Sequence, residues 1–198
     1  MSILARVPLG RLATVVSWVG HPLVFVTTCV AIVVITQLTS RAAGAILAAL
    51  SLSVIVPMGV LLFLGVRSGR WRDADVSVRE ERKRFYPVAI PLLALGTVMT
   101  WLIGAPRYIL NGGIITLMLL VIAAIANLRF KISLHTLFAS YCTVILFRVS
   151  VLCGLTALLL TALVFWSRLF LSRHTLSENI SGLALGLMGG MATAWWPG

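Results

Sequence analysis

The sequence predicts an all-α fold, a polytopic transmembrane helical bundle of seven helices, with six as the alternative count. Three observations carry this. Hydrophobic residues make up 60% of the 198-residue chain and charged residues only 11%, against about a quarter charged in a soluble domain. The mean hydropathy is +1.07, which leaves too little polar surface to face water. Charges also punctuate the chain, leaving uncharged runs at 12–40, 42–66, 85–106, 108–128, 132–147, 149–167 and 179–198. A helix needs roughly 20 residues to cross about 30 Å of hydrocarbon, and five of these runs reach that length. The whole chain, 1–198, reads as one domain.

The first run is too long for the core of a cleaved signal and reads as an uncleaved membrane helix. Pro22, Pro57, Pro87, Pro91 and Pro106 mark helix starts or kinks, and Asn111-Gly112-Gly113 reads as a turn ahead of the fourth helix. The runs 132–147 and 149–167 are shorter, yet one helix through both is far too long. They read as two crossings with Arg148 at their turn. Six helices result if 108–128 or the first run is re-entrant or lies flat. In the last run Gly182, Gly186, Gly189 and Gly190 allow close backbone approach. Packing inside the bundle is one use of that spacing, and a homodimer contact is the other. Cys29, Cys142 and Cys153 lie in apolar runs without metal-ligand spacing and read as small hydrophobes.

Seven crossings give an alternation. One side, A, holds the N-terminus, 67–84, 129–131 and 168–178; the other, B, holds Arg41, Arg107, Arg148 and the C-terminus. All 5 acidic residues and 13 of the 16 basic residues fall on side A. Positive charge favours the cytoplasmic side, so a multi-pass protein of the cell membrane with side A in the cytoplasm is expected. In a soluble protein the net charge of +11 points to nucleic acid. Here no nucleic-acid-binding fold or motif accompanies it, and anionic headgroups and phosphate substrates account for the basic excess.

Three polar segments could carry chemistry, and all fall on side A. In the first, a helix from Asp75 places Asp75, Arg79 and Arg82 on one face. The carboxylate could hold Arg79, and two guanidinium forks suit phosphate oxygens. In the second, Lys131, Ser133 and His135 cluster where a membrane helix begins, where free amides attract an anion and a histidine can move a proton near neutral pH. The third is Arg168, His174 and Glu178. One helical turn separates His174 from Glu178, so the carboxylate could hold one ring nitrogen and leave the other as a nucleophile. Arg168 could steady charge developing on phosphorus. Interfacial charge networks that only anchor the helices are the alternative for each segment. Nothing visible requires a metal or another cofactor.

These residues resemble the type 2 phosphatidic acid phosphatase superfamily of integral-membrane lipid phosphatases. Its third motif reads Ser-Arg, five residues, His, three residues, Asp; Ser167, Arg168 and His174 keep the spacing, and Glu178 stands at the acid. Its second motif, Pro-Ser-Gly-His, survives as Ser133 and His135 in Ile132-Ser133-Leu134-His135. Its first motif is replaced by Asp75-x3-Arg79-x2-Arg82. The resemblance implies that His174 attacks phosphorus to form a phosphohistidine and Glu178 orients it. His135 protonates the leaving oxygen and then activates water. Arg79, Arg82, Lys131, Ser133 and Arg168 cradle the phosphate. The implied activity is metal-independent hydrolysis of a phosphate monoester or diphosphate on a phospholipid or polyprenyl carrier, with membrane lipids as surroundings. The resemblance implies a site on the outer face, whereas the charge count implies the cytoplasmic one. A non-catalytic lipid- or protein-binding membrane protein with a degenerate site is the alternative.

Overall fold

The computed structural model describes the backbone of residues 3–195 and the side chains of residues 8–195. The described residues are helical with short connections: α1 Ile3–Val19, α2 Pro22–Gln37, α3 Ser40–Leu50, α4 Val56–Arg67, α5 Arg79–Leu102, α6 Arg107–Ala126, α7 Leu134–Val149, α8 Val151–Phe170 and α9 Leu176–Trp195. A five-residue π-helical segment, Ser51–Ile55, joins α3 to α4 without a break. It lies just before Pro57, whose ring and missing N–H disturb the regular ladder.

Among the described residues, four helices are long and apolar enough to cross a membrane: Ser40–Arg67, α5, α6 and α8. The chain is therefore a multi-pass membrane protein. Within the first uncharged run, Gly20 and His21 separate α1 from α2, and Pro8–Val19 meets α2 at 52°, so the pair forms either one broken span or a re-entrant loop. Asn111, Gly112 and Gly113, expected in a turn, instead lie inside α6. The turn falls earlier, where Gly104 adopts φ +70° and Pro106 caps the helix. Gly113 stands where α5 comes close: a Cβ there would sit 3.0 Å from Thr97 Oγ1.

The chain forms two compact units. Unit 1 comprises residues 1–26 and 132–191. Its central element is α7, buried on every side from Leu134 to Thr143. Against it packs α9, through the glycine stripe. A Cβ on Gly182 would sit 2.5 Å from the Ser133 carbonyl oxygen, one on Gly186 would run into the Leu137 carbonyl, and one on Gly190 would lie 2.7 Å from Val144 Cβ. Thr136 and Ser140 of α7 then reach the Asn179 and Leu183 carbonyls at 3.3 and 3.1 Å. On the other flank α7 packs on α8, where the Thr143 and Thr161 hydroxyls meet at 2.8 Å.

Helix α8 is amphipathic in the sense opposite to a soluble helix. Leu152, Leu155, Leu158, Leu159 and Leu163 are exposed, while Thr161, Ser167 and Arg168 are buried. A helix facing lipid turns its polar groups inward, because no water in the bilayer core can satisfy them.

Unit 2 comprises residues 27–131 and 192–198. Its apolar core includes Val34, Ala43 and Ile46, packed against Leu50, Ala105 and Ile109. Between α4 and α5 the chain turns through 68–78, anchored by buried Trp71, whose indole lies on Gly65 and meets Phe85 edge to face.

Candidate active site

The site in unit 1 is built on the turn from α8 to α9. Ser172 adopts φ +52°, and the N–H groups of Ser172 and Arg173 donate to the carbonyls of Leu169 and Arg168 at 2.9 and 3.0 Å. That is a Schellman ending, with Ser172 at the left-handed position usually given to glycine. The His174 N–H follows onto the Arg168 carbonyl at 3.3 Å. One residue later Thr175 caps α9. Its hydroxyl accepts the Glu178 N–H at 3.3 Å, while Glu178 Oε2 accepts the Thr175 N–H at 3.0 Å. Thr-x-x-Glu of this kind is a capping box. The spacing from Arg168 to Glu178 is thus the length of a helix ending followed at once by a helix beginning.

The turn presents His174. Its Nδ1 lies 3.0 Å from Glu178 Oε2, with the histidine side chain 0% and the glutamate side chain 18% exposed. A neutral ring that donates from Nδ1 to a carboxylate carries its lone pair on Nε2, the arrangement of an oriented nucleophile. Glu178 therefore serves two donors with one oxygen. Arg168 is fully buried and donates from Nη1 to Ser17 Oγ at 2.6 Å.

Helix α7 starts beside this turn. The Ser133 N–H donates to the Glu178 carbonyl at 3.1 Å, and the Ser133 side chain, fully buried, caps α7 by accepting the Thr136 N–H at 3.5 Å. His135 follows in the first helical turn, 1% exposed. Ser133, His135, Arg168, His174 and Glu178 all belong to unit 1.

Two further residues join them that spacing did not single out. Ser17, in α1, holds Arg168. His21, in the break between α1 and α2, sets its ring at 88° to that of His135, with centroids 5.4 Å apart. The sequence signal was present in Gly20-His21-Pro22, a histidine before a proline inside an uncharged run. Alongside lies a partly open, wholly apolar cavity of about 110 Å³, lined by Val15, Val16, Val19, Gly20, Phe25, Leu160 and Val164. Val16 and Gly20 neighbour Ser17 and His21 in sequence, and Val164 lies one turn before Arg168.

The other expected phosphate ligands belong to unit 2. Helix α5 begins at Arg79, so Asp75 lies in the preceding turn and not on a helical face with Arg79 and Arg82. The reason is local: Asp73 accepts the Ser77 N–H and hydroxyl at 3.1 and 2.6 Å, folding the chain back before the helix starts. Val76 there takes φ +46°, a region costly for a β-branched residue. Its carbonyl accepts Arg82 Nε at 2.9 Å, and Arg82 is fully buried. Arg79 donates to the Asn127 carbonyl at 2.8 Å and to the Leu128 carbonyl, while Asn127 returns a bond to the Arg79 carbonyl at 3.1 Å. Lys131 donates to the Ser77 carbonyl at 3.2 Å. These cations hold the end of α6 and the 68–78 turn together.

Unit 1 thus contains an oriented histidine, a second buried histidine, a buried guanidinium and an apolar cavity. Such a set can attack an electrophile, stabilise negative charge, move a proton and shelter an apolar chain. Compared with known proteins, the chain matches no family model, no curated protein and no solved structure.

Proposed function

We propose that this membrane protein hydrolyses a phosphate monoester or diphosphate on a lipid or polyprenyl carrier without a metal ion, as its resemblance to the type 2 phosphatidic acid phosphatases implies. The observation that carries the reading is the His174–Glu178 pair, 3.0 Å apart with the ring buried, on the same turn as buried Arg168. His174 Nε2 attacks phosphorus, and the bond from phosphorus to the lipid oxygen breaks as His135 delivers a proton to that oxygen. Water, deprotonated by His135, then attacks the phosphohistidine, releasing phosphate and restoring His174. Arg168 balances charge on the equatorial oxygens, where preorganised donors act most strongly. Ser133, at the start of α7 in the same unit, completes the phosphate cradle. The apolar cavity beside Ser17 and His21 takes the first carbons of the tail. The charge count implies seven crossings, or six, with the site on the cytoplasmic side, whereas the resemblance implies the outer face.

A second reading has its own support. The Schellman ending and the capping box account for the positions of Arg168, His174 and Glu178 as a turn, and Arg79 already serves two carbonyls. A non-catalytic lipid- or protein-binding protein needs no more than that. Purified protein assayed with EDTA against phosphatidic acid, phosphatidylglycerophosphate and polyprenyl mono- and diphosphates separates the two. Phosphate release from one of them is the expected result. Silence on all of them favours the binding protein, and release abolished by EDTA refutes the metal-free mechanism.

A further inference from the structure

The break between α1 and α2 is an unusual place for a histidine. It interrupts an uncharged run, and the ring is neither a surface group nor a packed core residue. Its Nδ1 accepts the Leu23 N–H at 3.2 Å, and its carbonyl accepts the Phe25 N–H at 2.9 Å. His21 is thus the N-cap of α2, with Pro22 at the first helical position. An accepting Nδ1 fixes a neutral ring with its proton on Nε2. The cap therefore sets both the tautomer and the direction of the ring. That ring meets His135 edge to face at 5.4 Å and 88°, within the preferred range for aromatic pairs. Four residues earlier, Ser17 on the last turns of α1 holds Arg168 at 2.6 Å. One short stretch of chain thus touches both the arginine and the second histidine of the site.

We propose that His21 is a positioning residue for His135, presented by the capped break between α1 and α2. His135 is 1% exposed, so neighbouring groups and not water set its orientation. Restraint from His21 keeps the imidazole aimed along the line on which it gives and takes a proton. The catalytic consequence rests on the phosphatase reading; the contact itself does not.

Two substitutions separate the cap from the ring. His21→Asn keeps a short acceptor suited to an N-cap and removes the ring from His135. His21→Phe keeps a ring and removes the acceptor. In detergent-solubilised full-length protein, His21→Asn is expected to retain the thermal midpoint. Its kcat on an unactivated lipid phosphate falls roughly tenfold to a hundredfold with KM little changed, because a misplaced reacting group acts on turnover. An aryl phosphate with a good leaving group is less affected, since it needs less proton donation. His21→Phe is expected to lower the thermal midpoint and to recover most of the lost kcat per folded molecule. The imidazole ¹⁵N spectrum, assigned with His135→Ala, reads the contact without any activity. The His135 signals are expected to shift in His21→Asn and to return towards wild type in His21→Phe. A His21→Asn protein with wild-type turnover and unshifted His135 signals overturns the inference. Shifted signals in a protein that hydrolyses none of the lipid panel sustain the contact and remove the phosphatase reading instead.

Discussion

Glu178 carries two jobs on one oxygen, and substitution can pull them apart. Oε2 closes the capping box with the Thr175 N–H at 3.0 Å and holds His174 Nδ1 at 3.0 Å. Glu178→Ala removes both. Loss of a cap costs about 1 kcal/mol, and loss of a hydrogen bond to a charged group about 1.5–3 kcal/mol. The two share an atom, so a joint loss of roughly 2–4 kcal/mol is an upper figure. Glu178→Gln keeps an amide oxygen that can accept from Thr175, so its stability should stay within about 1 kcal/mol of wild type. Its turnover should nonetheless fall roughly 10²–10⁴-fold, because the neutral amide no longer favours a proton on Nδ1 or the charge that develops on the ring. Substrate affinity should change little. Glu178→Asp keeps the charge but is one methylene short of reaching back to Thr175, so it should lose stability while retaining part of the turnover. Thermal unfolding in detergent, steady-state hydrolysis and trapping of the phosphorylated protein measure the three effects. Glu178→Gln turning over like wild type would falsify the orienting role. Glu178→Gln as unstable as Glu178→Ala refutes the double use of the oxygen.

His174→Ala should abolish both turnover and covalent phosphate trapping in a folded protein, whereas His135→Ala should still accumulate phosphorylated protein from an aryl phosphate; unchanged hydrolysis in His174→Ala defeats the assignment. Gly186→Ala places a methyl group against the Leu137 carbonyl, so overpacking should cost about 1–3 kcal/mol, visible as a lowered thermal midpoint; a wild-type midpoint contradicts the close approach of α9 to α7. Single cysteines at positions 75 and 148, introduced after replacing Cys29, Cys142 and Cys153, should label from opposite sides of the membrane, and labelling from the same side removes the seven-helix alternation.

Charge punctuation located most helices because a membrane-facing chain concentrates charge in its connections. The run 42–66 became Ser40–Arg67, and 108–128 became α6. Punctuation failed where a break carries no charge, as at Gly20-His21. It also failed at α5, which begins six residues before its uncharged run because Arg79–Arg84 are helical. Small, uncharged residues misled in α6, where Gly112 and Gly113 are helical and Gly113 lets α5 come close instead of making a turn. Of the site, the Arg168–His174–Glu178 grouping was legible because one continuous turn holds it. The Thr175-x-x-Glu178 capping box stood in the same stretch and explains why a glutamate occupies that position. Ser17 and His21 were not legible as site residues, since they meet Arg168 and His135 across 151 and 114 residues of chain. The Asp73–Ser77 turn, which takes Asp75 off the helical face of Arg79 and Arg82, leaves no periodic signature in the sequence.

Helix α9 buries Asn179, Gly182, Gly186, Gly189 and Gly190 and leaves Ile180, Leu187, Met188 and Met191 exposed, so its large apolar side chains face outward while its smallest residues turn inward. Its fit against α7 is a fit of backbone to backbone, since Gly182 and Gly186 leave no room for a side chain there. The His174–Glu178 pair is held within one turn and its capping box, so it can form as soon as α9 begins to wind. What docking against α7 adds is the bond from the Ser133 N–H to the Glu178 carbonyl, which fixes where a pair already formed comes to rest.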